Sequence, residues 1–138
     1  MYNFFGILGE KYYEGRERFK YPPGGKLAIP LFSRALREEF ILDISRSSIR
    51  LSKNTFQNRV RVAVVLVRLD LDGAPHRNPD GEELSGTHFH IYHPNSGDKW
   101  AYLLPEIFTE PSNVMLTLDQ FMDYCKIVAK PIVDSGLF

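Results

Sequence analysis

The chain has 138 residues, 43% of them apolar and 25% charged, and its 17 basic and 17 acidic side chains cancel to a net charge of zero. That is the composition of one ordinary soluble globular domain, 1–138, large enough to bury a core; neutrality argues against a strong non-specific nucleic-acid binder. No apolar run approaches the roughly 18 residues of a membrane span, the start Met1-Tyr2-Asn3-Phe4-Phe5 has no basic lead, and the single cysteine, Cys125, excludes both a disulfide framework and a CxxC zinc site, so no membrane segment or signal peptide is expected and the natural setting is a reducing cytoplasm.

Residues 1–20 are aromatic and charged, with Leu8, Tyr12, Gly15 and Phe19 at loosely helical spacing, which predicts a short N-terminal helix. Tyr21-Pro22-Pro23-Gly24-Gly25 breaks it. Residues 26–33 predict an edge strand limited by Pro30. Phe40 to Ile44 predicts a strand, as does Ile49 to Lys53. The run from Arg59 to Leu69, dense in valine, predicts one long central strand with Arg59 and Arg61 on one face near its start, and Arg68 and Asp70 on the other near its end.

A polar loop follows from Asp72 to Gly86. Fifteen residues is long for a connector, and loops of that length often carry function. Within it Asn78-Pro79-Asp80-Gly81 reads as a β-turn. His88 opens the next strand, Pro94-Asn95-Ser96-Gly97 is a turn, and Lys99 to Leu103 returns as a hairpin partner. Thr117-Leu118-Asp119-Gln120 has the form of a capping box, so a helix is expected from there to about Val128, ahead of Pro131. The fold predicted is α+β: a curved, mainly antiparallel sheet of five to six strands, with a C-terminal helix and a short N-terminal helix packed on it.

The four histidines, His76, His88, His90 and His93, fall within eighteen residues. Successive side chains of a strand point to opposite faces, so Thr87-His88-Phe89-His90-Ile91-Tyr92 should place His88, His90 and Tyr92 on one face and Phe89 and Ile91 on the other. Charge is segregated too: Ile44 to Leu69 carries six basic residues and no acid, while Asp70 to Glu110 carries eight acids against Arg77 and Lys99. The two segments either pair across a sheet or present a basic face to phosphates.

The strings Lys53-x-Thr55-x-Gln57-x-Arg59, Arg68 to Gly81, His88-x-His90-x-Tyr92 and Asp98-Lys99-Trp100-Ala101 resemble those of a family of small bacterial and prophage-type proteins of unassigned function, over roughly residues 40–125. The resemblance brings no activity with it. It implies only that these positions belong together in one site.

The residues point first to a small ribonuclease-like protein, with two alternatives beside it. The first is metal-independent cleavage of RNA, as in small ribonuclease toxins. His88 and His90 would be the acid and base, and Tyr92 an assistant. Lys53, Arg59, Arg68, His76, Lys99 and Trp100 would bind phosphate or stack on a base. No cofactor is needed, and RNA or a nucleoprotein complex would be the partner. The second is a non-catalytic phage or mobile-element protein that binds and inhibits a host nucleic-acid or defence complex through an exposed patch. The third is a metal-dependent hydrolase, with His88 and His90 chelating one ion and His76, Asp80 or Asp98 adding a ligand. The cupin pattern of His-x-His followed by a glutamate is not met, since the next acid is Asp98. The alternating three-histidine strand of the histidine-triad hydrolases is not met either, since Tyr92 stands at the third position. The readings separate on geometry: the ribonuclease requires an open His88 face, the inhibitor a flat or protruding patch, and the hydrolase three ligands around one point.

Overall fold

The computed structural model describes residues 9–60, 63–93, 95–97 and 99–135. Twelve strands are formed among them: β1 Lys11–Tyr12, β2 Arg18–Lys20, β3 Gly25–Ser33, β4 Glu38–Arg46, β5 Asn54–Val60, β6 Val64–Leu71, β7 His76–Arg77, β8 Glu83–Leu84, β9 His88–Ile91, β10 Ala101–Tyr102, β11 Ile127–Ala129 and β12 Ile132–Asp134. One helix, α1, spans Val114–Tyr124. Eight strands make the main sheet in the order β10-β9-β6-β5-β4-β3-β1-β11, and β12–β2 and β7–β8 form two-stranded pairs. The class is α+β, but the sheet is larger than the five to six strands expected. It is also mixed, because β1 runs parallel to β11.

Each central strand alternates in character, and the register aligns the alternation across strands. Ile44, Phe56, Leu69 and Phe89 are in register on β4, β5, β6 and β9, and all four are buried. Helix α1 packs on this apolar face, with Phe121 against Phe56 at 5.9 Å between ring centroids and Tyr124 against Phe89 at 5.0 Å. Residues one step along lie on the opposite, polar face. One row there is Lys26, Ser45, Thr55, Asp70 and His88; the next is Ala28, Asp43, Gln57, Arg68 and His90. Thus Thr55 and Gln57 are strand residues on the polar face.

Four expectations need correction. The long strand from Arg59 to Leu69 is two strands of a hairpin, β5 and β6, that pair with each other. A valine-rich run satisfies either a single strand or a tight reversal, and nothing in its composition marks the bend. The reversal brings Arg59 to the same sheet face as Arg68 rather than the opposite one; Arg61 lies outside the described residues. Residues Ile49 to Lys53 are no strand but a turn, in which Ile49 is 96% exposed and the Ser47 hydroxyl accepts from the amides of Ile49 and Arg50. Residues 9–20 are extended and supply β1 and β2 instead of an N-terminal helix; residues 1–8 of that expected helix lie outside the described ones. Aromatic and apolar side chains at loosely helical spacing serve equally well as strand residues when a sheet edge is available.

Finally, the helix is capped by Asn113, not by Thr117: the Asn113 side chain accepts from the Leu116 amide at 3.1 Å. Asn113 offers the same cap one turn earlier and lets Val114 and Met115 join the apolar face. Thr117 is interior, its hydroxyl donating to the Asn113 carbonyl at 2.7 Å. The helix closes at Cys125, followed by Lys126 at φ +60, so it is shorter than the expected run to Val128. The edge strand predicted around Pro30 is β3, which pairs with β4 over its whole length but with β1 only at Phe32; a proline without an N–H is tolerated on such a sparsely paired side.

Candidate functional site

The polar face of the sheet ends at β9, and the long Asp72–Gly86 loop folds back over that end as the β7–β8 hairpin. Three interactions place the hairpin. At its neck the Gly73 amide donates to the Gly86 carbonyl at 2.9 Å, and a side chain on Gly86 would start 2.0 Å from the Gly73 oxygen. At its tip Gly81 adopts φ +92, the left-handed region that glycine tolerates best. Between them Asn78, buried at 5% exposure, clamps the edge strand β10. Its Nδ2 donates to the Ala101 carbonyl at 3.1 Å and its Oδ1 accepts from the Ala101 amide at 2.8 Å. The amide thus stands in for a missing neighbouring strand.

This docking carries His76 onto His88 and His90. The ring centroids are 5.5 Å apart for His76 and His88, 4.9 Å for His76 and His90, and 5.0 Å for His88 and His90. One ring nitrogen from each residue lies within 4.8 Å of the other two. His88 and His90 are 3% and 0% exposed, while His76 is half-buried and forms the outer side of the cluster.

Hydrogen-bond partners assign the ring protons. His76 donates from Nε2 to the Lys99 carbonyl at 2.7 Å, and His88 donates from Nδ1 to the Ser85 carbonyl at 2.7 Å. Nε2 of His88 points at Asp70 Oδ2, 3.1 Å away. Both nitrogens of His88 therefore face acceptors, and the ring is held as an imidazolium: the Asp70 carboxylate, helped by the Ser85 carbonyl, raises its pKa above the ordinary histidine value against the opposing effect of burial. Nε2 of His90 faces Arg68 Nη2 at 2.9 Å and Asp70 Oδ2 at 3.4 Å. A guanidinium only donates, and its contact is the shorter, so the lone pair of His90 is on Nε2.

Asp70 is the hub. It also accepts from Thr55 Oγ1 at 3.0 Å and Arg68 Nε at 3.2 Å. Burial pushes its carboxyl up, but the His88 ring, the Arg68 guanidinium and the Thr55 hydroxyl outweigh that and hold it well below the usual carboxylate range. Beside this cluster on the same face, Asp43 accepts from Arg59 Nη2 at 3.1 Å and Gln57 Nε2 at 2.9 Å.

The residues singled out in the sequence divide accordingly. His76, His88, His90 and Arg68 come together. Arg59 is on the same sheet face but engaged by Asp43. Lys99 contributes its backbone carbonyl, its side chain being exposed. Lys53 is exposed, its stem beside Gly73. Trp100 is half-buried, and Tyr92 packs against the hydrophobic core. His93 sits apart, its Nε2 2.8 Å from the Tyr102 hydroxyl. Asp80 is exposed and accepts from the Glu82 amide, away from the imidazoles, and Asp98 lies outside the described residues. Asp70 and Asn78 lie within the Arg68 to Gly81 string but were given no role of their own, and Ser85 was not singled out. Asp70 was legible in principle, two residues after Arg68 on a strand and hence on its face; Asn78 was hidden behind its turn-forming role.

The chain belongs to a family of unknown function, DUF6978. The family profile matches residues 7–127, nearly the whole chain and all of the residues just described. No curated protein and no solved structure matches the chain. Among the described residues no helix is long and apolar enough to cross a membrane.

Proposed function

We propose that this protein is a metal-dependent hydrolase whose ion is held by His76, His88 and His90. The observation that carries the reading is the convergence of three imidazoles, two of which turn their other ring nitrogen to a backbone carbonyl. Such outer hydrogen bonds fix tautomer and ring orientation in metal sites. They leave Nδ1 of His76 as a lone-pair nitrogen and make Nε2 of His88 a ligand once it gives up its proton, while Nε2 of His90 keeps the lone pair that faces Arg68. Tetrahedral coordination at metal–nitrogen distances of about 2.0–2.1 Å places the nitrogens roughly 3.4 Å apart, so the three rings, which now have a nitrogen each within 4.8 Å of the others, have to draw in to hold an ion. Three protein ligands leave a position open for water or substrate, and an ion there lowers the pKa of bound water and polarises an ester oxygen. Asp70, against two of the three rings, is placed to orient them. Arg68 supplies positive charge for an anionic substrate group. A phosphodiester, RNA included, is the substrate class that suits these cations.

Two other readings each have an observation in their favour. Metal-independent cleavage of RNA is favoured by the Asp70–His88 ion pair, which keeps a proton donor next to Arg68; the burial of His88 and His90 counts against it. A non-catalytic inhibitor of a host complex is favoured by the protruding Ile49 and Leu51, 96% and 51% exposed at the β4–β5 turn.

The test is a Co2+ titration of metal-stripped protein followed by visible absorption, with hydrolysis of bis(4-nitrophenyl) phosphate and of mixed RNA measured with and without EDTA. One Co2+ per chain, lost in His76→Ala and His90→Ala, and hydrolysis abolished by EDTA are expected. Cleavage of RNA that survives EDTA would establish the metal-free reading. Absence of both metal binding and cleavage would leave the binding protein.

A further inference from the structure

We propose that the groove beside the open edge of β3 docks an extended basic segment of another protein, which adds to the sheet as a strand. Strands β4, β5 and β6 separate this groove from β9 and its histidines, so it stands whether or not the metal reading does.

β3 pairs with β4 over all nine of its residues, but on its other side it meets β1 only at Phe32. Pro30 shows which backbone groups face that side. Proline has no N–H for the ladder, so within a sheet its nitrogen faces outward. Backbone direction repeats every second residue in an antiparallel strand. Lys26, Ala28, Pro30 and Phe32 therefore share it, and Phe32 is the residue that meets Tyr12. Among the described residues no strand pairs with Lys26, Ala28 or Pro30 on that side. The edge offers the N–H and C=O of Lys26 and Ala28 and the C=O of Pro30, and Ala28 is small and exposed.

The loop after β1 forms the opposite wall of a groove of about 540 Å³, inside the range of about 300–1,000 Å³ usual for binding pockets. The loop folds around its own tyrosine. The Glu17 amide donates to the Tyr13 hydroxyl at 3.1 Å, and a Cβ on Gly15 would lie 2.4 Å from that oxygen. The Tyr13 ring meets buried Phe19 edge-on at 5.5 Å. Charge selects the occupant: Glu14, Glu17 and Glu39 line the groove, all exposed, and no basic side chain does. Glu14 reaches Arg34 at 3.4 Å, an exposed pair of the kind that contributes little. The same Arg34 lies over the Tyr12 ring, 4.4 Å from its centroid, so a guanidinium already rests against this aromatic and acidic rim. A strand laid along β3 turns alternate side chains to opposite faces. Leu27 and Leu31 line the groove from the apolar face, Ala28 and Pro30 from the other. A segment alternating apolar and basic residues fits both. In strand addition the main chain supplies affinity and the alternate side chains specificity.

The experiment titrates the isotope-labelled full chain with a capped peptide of alternating lysine and valine, with its glutamate–valine counterpart, and with spermine. Binding is read from amide NMR shifts and hydrogen exchange on the parent, Ala28→Pro and Glu39→Lys, with folding checked by circular dichroism. The lysine–valine peptide should bind, slow exchange at the Ala28 amide and weaken with added salt; the glutamate–valine peptide should not bind. Ala28→Pro removes one outward hydrogen bond and should weaken binding by about 3- to 10-fold. Glu39→Lys should weaken it through charge, and with the exchange at Ala28 it decides the matter if the proline variant misfolds. No binding of the lysine–valine peptide up to about 1 mM, where association is already weak, overturns the proposal. So does equal binding of the acidic peptide. Spermine binding as tightly as the peptide, with exchange at Ala28 unchanged, would make this a small-cation site instead. Self-association of the parent that Ala28→Pro abolishes would assign the edge to a second copy of the chain.

Discussion

Asp70→Asn is the substitution that most directly tests how the histidine cluster is held. Asp70 is 18% exposed and accepts from Thr55, Arg68 and His88, with His90 alongside. Asparagine keeps the shape but removes the charge, and its Nδ2 group presents hydrogens toward donors. The His88 imidazolium is then left at a buried position without its counter-ion. Removing one member of a buried pair costs about 3–5 kcal/mol. The cost should depend on pH in a direction set by both partners. His88 has a raised pKa in the fold, so its contribution is complete below the ordinary histidine value near 6.5 and disappears as pH rises through the raised one. Asp70 has a lowered pKa, so its contribution is present above about 4 and disappears only as pH falls toward its folded value. The ion pair is therefore complete near pH 5.5. Urea denaturation in EDTA, which removes any contribution from metal, should show a loss of about 3–5 kcal/mol at pH 5.5. As pH rises toward 9 and through the raised His88 value, the loss should shrink toward the roughly 1–3 kcal/mol of an unsatisfied polar partner. A loss below about 1 kcal/mol at pH 5.5, or the same loss at both pH values, would refute the assignment of His88 as an imidazolium held by Asp70.

Three further outcomes are expected. Asn78→Ala leaves both backbone groups of Ala101 without their side-chain partner and should cost about 1–3 kcal/mol; hydrogen exchange should accelerate over residues 76–84 and at Ala101 but not in the centre of β5, and unchanged exchange would show that the clamp does not hold the hairpin. Gly86→Ala places a methyl group against the Gly73 carbonyl and should lower the thermal midpoint with a cost of about 1–3 kcal/mol or more; a variant as stable as the parent would mean that the neck opens without penalty. Asp43 is buried, which pushes its carboxyl up, yet Arg59, Gln57 and Lys26 bring it below the usual range. Its contribution is thus present above about pH 4 and fades as pH falls through the folded value, so stability between pH 5 and pH 2 should fall less steeply in Asp43→Asn than in the parent.

How much was readable without coordinates follows from how local each signal is. The alternation in His88-Phe89-His90 is a property of three consecutive residues, and it correctly separates the two buried imidazoles from the core ring of Phe89. The turn residues Asn78 to Gly81 and the returning hairpin partner of β9 are equally local. The opposed charges of neighbouring segments do meet in part, as Arg50 with Asp72 at 2.6 Å and Arg68 with Asp70 at 3.2 Å. The reversal between β5 and β6 was not readable because a run of β-branched residues favours extended backbone on both sides of a bend and leaves the bend itself unmarked. The helix start was misplaced because Asn113 and Thr117 carry the same capping chemistry, and only packing of the apolar face selects between them.

The sequence by itself determined that His88 and His90 share a face, that Phe89 opposes them, and that a long polar loop precedes them, because strand periodicity and turn chemistry act over a few residues. Tertiary structure alone decided that His76 joins them. Its position depends on Asn78 meeting the backbone of Ala101, twenty-three residues away, and no local pattern encodes a contact across that separation. The same holds for the row Thr55, Asp70, His88. Those residues come together only through the register of three strands, and one residue of slippage would turn every one of them toward the apolar face.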